Sequence, residues 1–166
     1  MVTVVKPFKE SRGTLDVQMY DENYPEKFSI DPGECSGWAG WDAGNRLVGC
    51  GIGMHAWLKD AREVAVEMPQ HYPQSPVPPQ DLITLAFLAG RYIGTASKAE
   101  ALHFYPHAWK GNLPKDVCGS RVLHRLSAAE LSVVKEADHK VPKGLRNNMI
   151  DAIGIGLFAF RGLTKL

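Results

Sequence analysis

Apolar and polar residues follow one another in short runs that predict strands in the first part of the chain. Residues 28–30 begin a first strand, which Asp31, Pro32 and Gly33 end. Residues 37–41 and 47–54 are two further strand-like runs, and the residues between them, 43–46, are of types that tolerate positive φ in a turn. Runs this close together predict an antiparallel meander of three strands.

The rest of the chain alternates once more between strand and helix and then becomes helical. Residues 64–68 are short and apolar enough for a buried central strand. Five prolines within residues 69–79 exclude a helix or central strand and predict a stiff, exposed loop. Helical spacing, proline positions and a capping box then predict a helix over 81–97, a strand over 101–105, helices beginning at Pro114 and Ser127, and a buried helix over 147–160.

This order of elements predicts an α/β fold, with a mixed sheet flanked by helices. Residues 1–26 are polar and irregular and are predicted to be an N-terminal extension, while residues 27–166 form one domain with a substantial core. No apolar run approaches the length of a membrane span, and no secretory signal pattern is present, so we expect a cytoplasmic protein without a membrane partner. Three cysteines without CxxC spacing indicate reduced thiols, not a disulfide or zinc framework.

The net charge of +1 conceals an uneven distribution. Residues 1–105 contain 9 Lys and Arg against 13 Asp and Glu, whereas residues 106–166 contain 10 against 5. A basic C-terminal portion beside an acidic site suits a polyanion that is held by one region and cut at the other. Ordinary scatter of surface charge would give the same totals, so the asymmetry alone does not select a function.

Three acidic residues occupy positions where the surrounding pattern calls for a buried aliphatic side chain. Asp31 and Glu67 each end a strand-like run, and Asp151 lies in an otherwise apolar helix. A buried carboxylate is unfavourable unless it is paired, hydrogen-bonded or bound to a metal. Three such residues on two strands and one helix indicate one shared site that holds a cation. Each acid taken alone is better explained by a structural role, as a turn, a cap or an ion pair.

The ordered motifs resemble the RuvC-type Holliday junction resolvases, which belong to the ribonuclease H-like superfamily. The resemblance rests on Ile30-Asp31-Pro32-Gly33, on Val66-Glu67 and on a late helix with Asn148 three positions before Asp151-Ala152. It extends over residues 28–160 and is strongest toward phage-encoded members, which would place the protein in the cytoplasm of the bacterial host. The middle segments of that family are similar to residues 88–91, 109–111 and 114–116 of this chain.

The resemblance implies a ribonuclease H-like domain that cleaves four-way DNA junctions as a homodimer, with two Mg²⁺ ions per site and Mn²⁺ as a substitute. Asp31 would bridge the metal ions, Glu67 would bind one of them and orient water, and Asp151 would bind the other. Where the family usually has an acid or histidine, this chain has Asn148, whose amide oxygen can bind a hard cation but brings no charge. His139, Asp138 and Asp81 are the alternatives for that fourth ligand.

Basic and aromatic residues outside the acid cluster are candidates for DNA contacts. Lys110 and Lys115 would grip phosphates near the scissile bond, the second at a helix start that favours anions. His71 and Tyr72 follow Glu67 in the stiff loop, where an aromatic ring could open base stacking at the crossover. Weaker candidates for contacts with the phosphate backbone are Arg121, Arg125, Lys140, Lys143 and Arg146. Each of these side chains would also suit a solvated protein surface.

Two alternative functions remain open at this point, and a third is disfavoured. The same fold and acids would serve a nuclease for another branched DNA or for an RNA–DNA hybrid, because substrate preference is set by loops. Asn148 would also suit a catalytically weak junction-binding protein. An actin-like ATPase would need a second glycine-rich phosphate loop and a far longer chain, so we expect no nucleotide cofactor.

Overall fold

The computed structural model describes residues 25–53, 56–71 and 77–163 and contains a five-stranded mixed sheet. The order across the sheet is β3-β2-β1-β4-β5. Strands β1, β2 and β3 form the predicted antiparallel meander, and β4 and β5 extend the sheet in parallel from β1. The strands are β1 (Lys27–Asp31), β2 (Gly37–Trp41), β3 (Leu47–Ile52), β4 (Glu63–Glu67) and β5 (Glu100–Phe104).

Among the described residues, five α-helices flank the sheet, and one of them was not predicted. The short helix α2 spans a single turn after β5 and begins with a proline, a residue that suits the first turn of a helix. It is too short for an apolar period to reveal it in the sequence. The predicted capping box at Ser127 and Glu130 is confirmed at the start of α4. The helices are α1 (Pro79–Thr95), α2 (Pro106–Trp109), α3 (Lys115–His124), α4 (Ala128–Asp138) and α5 (Arg146–Arg161), with 3₁₀ turns at Ala56–Asp60 and Lys143–Leu145.

Alternation along the central strands divides the core between the two faces of the sheet. On β4, Ala65 faces the layer formed by α3, α4 and α5, whereas Val64 and Val66 face α1. Both faces are therefore covered, which explains why β4 reads as a continuous apolar run. Within the described part of the chain, no helix is long and apolar enough to cross a membrane.

Helix α5 lies directly on the sheet because two glycines leave room for two large aromatic rings. Trp109 packs against Gly154 and Trp41 packs against Gly156, and a Cβ atom at either glycine would overlap the indole. Both tryptophans are fully buried. This close packing holds α5, the helix that carries Asp151, against the central strands of the sheet, including β1 and β4.

Candidate active site

Two acidic side chains leave the sheet at the same edge because their strands are parallel neighbours. Asp31 is the last residue of β1 and Glu67 is the last residue of β4. The preceding pair, Ile30 and Val66, is in register. The third acid, Asp151, lies in the second turn of α5, and only 10% of its side chain is exposed. The structure thus brings together the three acids that the sequence singled out.

Mutual repulsion and burial both act on these carboxyl groups. Burial and the negative charges of Glu67 and Asp151 raise the pKa of Asp31 well above its ordinary value. Burial also raises the pKa of Glu67 and of Asp151, although nearby lysines partly oppose this effect. A cluster whose ionised form is disfavoured in this way attracts a cation. The positive charges of Lys110 and Lys115 partly oppose the rise in the pKa of Asp31, which indicates that both lysines lie near the cluster.

Lys110 is placed inside the acid cluster, not on an outer surface. Its Nζ lies 3.3 Å from Glu67 Oε2 and 3.7 Å from Asp151 Oδ2. Burial acts to lower the pKa of Lys110, but the charges of Glu67, Asp151 and Asp31 outweigh it, so the pKa is raised. The side chain therefore remains an ammonium group at neutral pH. The sequence had indicated Lys110 as a phosphate contact, and its proximity to the carboxylates was not anticipated.

Trp109 is a site residue to which the sequence assigned no role. Its indole Nε1 donates a hydrogen bond of 2.6 Å to Glu67 Oε2. The Lys110 Nζ lies 4.8 Å from the centroid of the Trp109 ring, within the range of a cation–π contact. One buried ring thus holds both the acid and the cation. The only signal in the sequence was its position next to Lys110 in the segment that resembles resolvases.

The loop after Asp31 is fixed by side chains from two other elements. The Ser36 hydroxyl donates to the Gly33 carbonyl at 2.8 Å and accepts from the Gly33 N–H at 3.0 Å. Tyr92, a buried residue of α1, lies close to the Ser36 side chain. On the other side, Asn148 Nδ2 donates to the Cys35 carbonyl at 2.8 Å.

This contact bears on the prediction that Asn148 binds a metal. The hydrogen bond ties the first turn of α5 to the loop that follows β1, which is a structural role. It uses the amide nitrogen, whereas a metal ion would bind the amide oxygen Oδ1. Asn148 as a metal ligand therefore stays a prediction.

The remaining predicted contacts are distributed around the acid cluster. Lys115 is the first residue of α3 and is exposed, so it lies at the rim of the site. Arg121 is exposed on the same helix. Arg146 forms an ion pair through Nε with Asp138 Oδ1 at 2.6 Å. The predicted DNA contact Arg146 is therefore paired with Asp138, one of the alternatives for the fourth metal ligand. His71 is exposed beyond the end of β4, while Tyr72 and most of the predicted extension 1–26 lie outside the described residues.

The donor chemistry of the site fits a hard divalent cation. Carboxylate oxygens are the ligands that Mg²⁺ and Mn²⁺ prefer, and Asp31, Glu67 and Asp151 supply them. Across residues 25–53, 56–71 and 77–163, no three acidic, histidine or cysteine side chains are already arranged as a metal cluster. The Lys110 ammonium lies between two of the acids. These side chains thus already accommodate one positive charge.

The described residues form an α/β fold, as the sequence predicted, with a three-stranded antiparallel meander extended by two parallel strands and flanked by helices. No protein-family model matches the chain. No curated protein matches it either. Among solved structures it is similar to Thermus thermophilus RuvC, with 15% identity and a TM-score of 0.38, over 82% of this chain and 96% of that one. It is also similar to T. thermophilus RuvC in complex with a Holliday junction substrate, with 16% identity, a TM-score of 0.37 and the same coverage.

Proposed function

We propose that this protein is a metal-dependent endonuclease that resolves four-way DNA junctions by phosphodiester hydrolysis. The observation that supports this most directly is the convergence of Asp31, Glu67 and Asp151 at the edge where β1 and β4 end. When bound, Mg²⁺ or Mn²⁺ supplies Lewis-acid stabilisation of charge on the phosphate and on the attacking water. Asp31, Glu67 and Asp151 would hold the metal, and Glu67 would also orient water.

Cationic side chains around this edge suit a nucleic-acid substrate. Lys115 lies at the start of α3, where backbone N–H groups also favour phosphate. Arg121 is exposed on the same helix, in the basic C-terminal portion of the chain. We assign both to phosphate contacts, whereas Arg146 would first have to leave Asp138. His71 and Tyr72 remain our proposal for the residues that open base stacking at the crossover.

A homodimer suits a substrate with two equivalent cleavage points. Helix α1 exposes Ile83 and Phe87, which are 70% and 67% exposed. Gly90 and Gly94 continue the same face of the helix, and a Cβ at either would meet open space in the described structure. In an antiparallel pair of such helices, Phe87 would lie opposite the partner's Gly90, and Ile83 opposite the partner's Gly94. This large-against-small pattern is self-complementary, so we propose α1 as the dimer contact.

The test is cleavage of a labelled synthetic four-way junction beside a linear duplex, a fork and an RNA–DNA hybrid. Each substrate is incubated with Mg²⁺, with Mn²⁺ and with EDTA. Paired symmetric cuts in the junction alone, abolished by EDTA, are the expected result. Cutting of the hybrid or the fork instead would support the proposed active site but show that the four-way junction is not the substrate. Tight junction binding without cutting under either metal would refute the endonuclease and favour a non-catalytic junction binder, which Asn148 and its bond to Cys35 would explain.

A further inference from the structure

We propose that Lys110 takes the place of one metal ion, so that this site holds a single divalent ion where a two-ion nuclease would hold a pair. The inference rests on the proposed function, because it concerns the same acid cluster. It predicts a property of this chain, the number of bound ions, that can be measured without any DNA.

The first argument is the position of the ammonium group. In a two-ion site the ions lie about 4 Å apart and divide the surrounding carboxylates between them. Here Lys110 Nζ lies 3.3 Å from Glu67 Oε2 and 3.7 Å from Asp151 Oδ2, at the distances of direct ion pairs. It therefore bridges the two acids that would otherwise bind different ions. A second ion could enter only by displacing it.

The second argument is the charge of the cluster. Ionised Asp31, Glu67 and Asp151 contribute three negative charges and Lys110 contributes one positive charge, which leaves a balance that one divalent ion neutralises. Two divalent ions beside the same lysine would leave a net positive site. Asn148, the neighbour of Asp151 one turn earlier on α5, adds no charge, and its amide nitrogen is already bound to the Cys35 carbonyl.

The third argument is that Lys110 is held in place. Only 25% of its side chain is exposed, and its ammonium group faces the ring of Trp109 at 4.8 Å. The same indole donates to Glu67 Oε2 at 2.6 Å, so acid, ring and cation form one connected unit. An exposed surface lysine would exchange many rotamers, whereas this one stays beside the acids.

The experiment counts Mn²⁺ ions bound per chain by calorimetric titration and by electron paramagnetic resonance of the free ion. The variants are Asn148→Asp, which adds a carboxylate, and Lys110→Met with Asn148→Asp, which also removes the ammonium group. Lys115→Met is the matched control, since it removes a lysine charge from the rim. Circular dichroism establishes that each variant is folded, and Lys110→Gln replaces Lys110→Met if the double variant does not fold.

We expect one ion per chain in the wild type, in Lys115→Met and in Asn148→Asp, and two ions in the double variant. Two ions in the wild type would overturn the inference and leave the proposed nuclease intact. Two ions in Asn148→Asp alone would also overturn it, because the missing acid and not the lysine would then limit binding. One ion in the double variant would do the same. No bound ion in any protein would instead refute the proposed metal-dependent function.

Discussion

Replacing Trp109 with phenylalanine isolates the link between the core and the acid cluster. The change keeps an aromatic ring against Gly154 but removes the Nε1 donor that lies 2.6 Å from Glu67 Oε2. Because the acceptor is a carboxylate, this hydrogen bond belongs to the stronger, charge-assisted class. Its loss should weaken both the fold and the placement of Glu67.

Trp41 provides an unusually well matched control. It is also fully buried, it packs against Gly156 as Trp109 packs against Gly154, and its Nε1 donates to the Ser29 hydroxyl at 2.8 Å. The two substitutions therefore delete the same atoms from similar surroundings. They differ in that one hydrogen bond is made to a charged acceptor and the other to a neutral one.

The two changes should therefore differ by a calculable amount. Loss of packed atoms should cost each variant about 1–2 kcal/mol of unfolding free energy. Loss of the hydrogen bond should add about 1.5–3 kcal/mol for Trp109→Phe and about 0.5–1.5 kcal/mol for Trp41→Phe. Trp109→Phe should thus be the less stable variant by about 1–1.5 kcal/mol.

The difference should also depend on pH. Burial raises the pKa of Glu67 above its ordinary 4.5, and the Trp109 hydrogen bond opposes that effect by favouring the ionised form. The bond therefore stabilises the fold while Glu67 is ionised, and this contribution is lost as the pH falls and the carboxyl takes up a proton. The difference in unfolding free energy between the two variants should be largest at about pH 8. It should shrink as the pH falls toward the ordinary pKa of the Glu67 carboxyl.

Urea denaturation in EDTA measures these free energies, and calorimetric titration measures Mn²⁺ affinity. We expect Trp109→Phe to weaken Mn²⁺ binding by about 10–100-fold, as the loss of a group that orients a ligand does, and Trp41→Phe to leave it nearly unchanged. Equal destabilisation by both changes at every pH, together with equal Mn²⁺ affinity, would refute the reasoning. Trp109 would then be a core residue only.

Four further predictions test other parts of the molecule. Asp31→Asn should abolish junction cleavage and leave junction binding within about threefold. In EDTA, Asp31→Asn should also stabilise the fold at neutral pH but not in acid, because burial and neighbouring carboxylates raise the pKa of Asp31. If the variant still cleaves junctions, Asp31 is not an active-site residue. Glu130→Gln should cost about 2–4 kcal/mol at neutral pH. Its hydrogen bonds outweigh burial and lower the pKa of Glu130, so urea denaturation should show the loss shrinking as the pH falls through that lowered pKa; a pH-independent loss would contradict this. Phe87→Glu should give monomers in light scattering, whereas Thr84→Glu, which lies off the α1 face that contains Ile83 and Phe87, should leave the dimer intact. Dimers in both variants would exclude α1 as the dimer contact. Tyr72→Ala should slow resolution of intact junctions more than cutting of a pre-nicked branch, and an equal loss would argue against a wedge.

Local patterns were sufficient to predict the order of the strands and the main helices. Apolar runs, prolines and the capping box at Ser127 depend on residues close together in the chain, and the structure contains the corresponding elements. Element ends shifted by one or two residues, since fraying and caps decide them. The one-turn helix α2 was missed because four residues cannot show a helical period.

The sequence by itself also determined which acids meet. Asp31 and Glu67 end strands predicted to lie in one sheet, and the ends of parallel strands meet at one edge. Asp151 interrupts an apolar helix, and an unpaired acid in such a helix indicates a partner or a cation. These inferences need only the periodicity of each element and the free energy of burying charge.

Only the tertiary structure decided which side chains stand between those acids. The sequence context of Lys110 suited an outer phosphate contact as well as a place beside the acids. The sequence context of Trp109 suited a core residue with no contact to the site. Their contacts with Glu67 join residues more than forty positions apart, and they follow from how α2, which comes after β5 in the chain, packs against α5. Asn148 likewise meets Cys35 across the fold. Distances of this kind depend on the packing of several elements at once, and no local pattern in the chain specifies that packing.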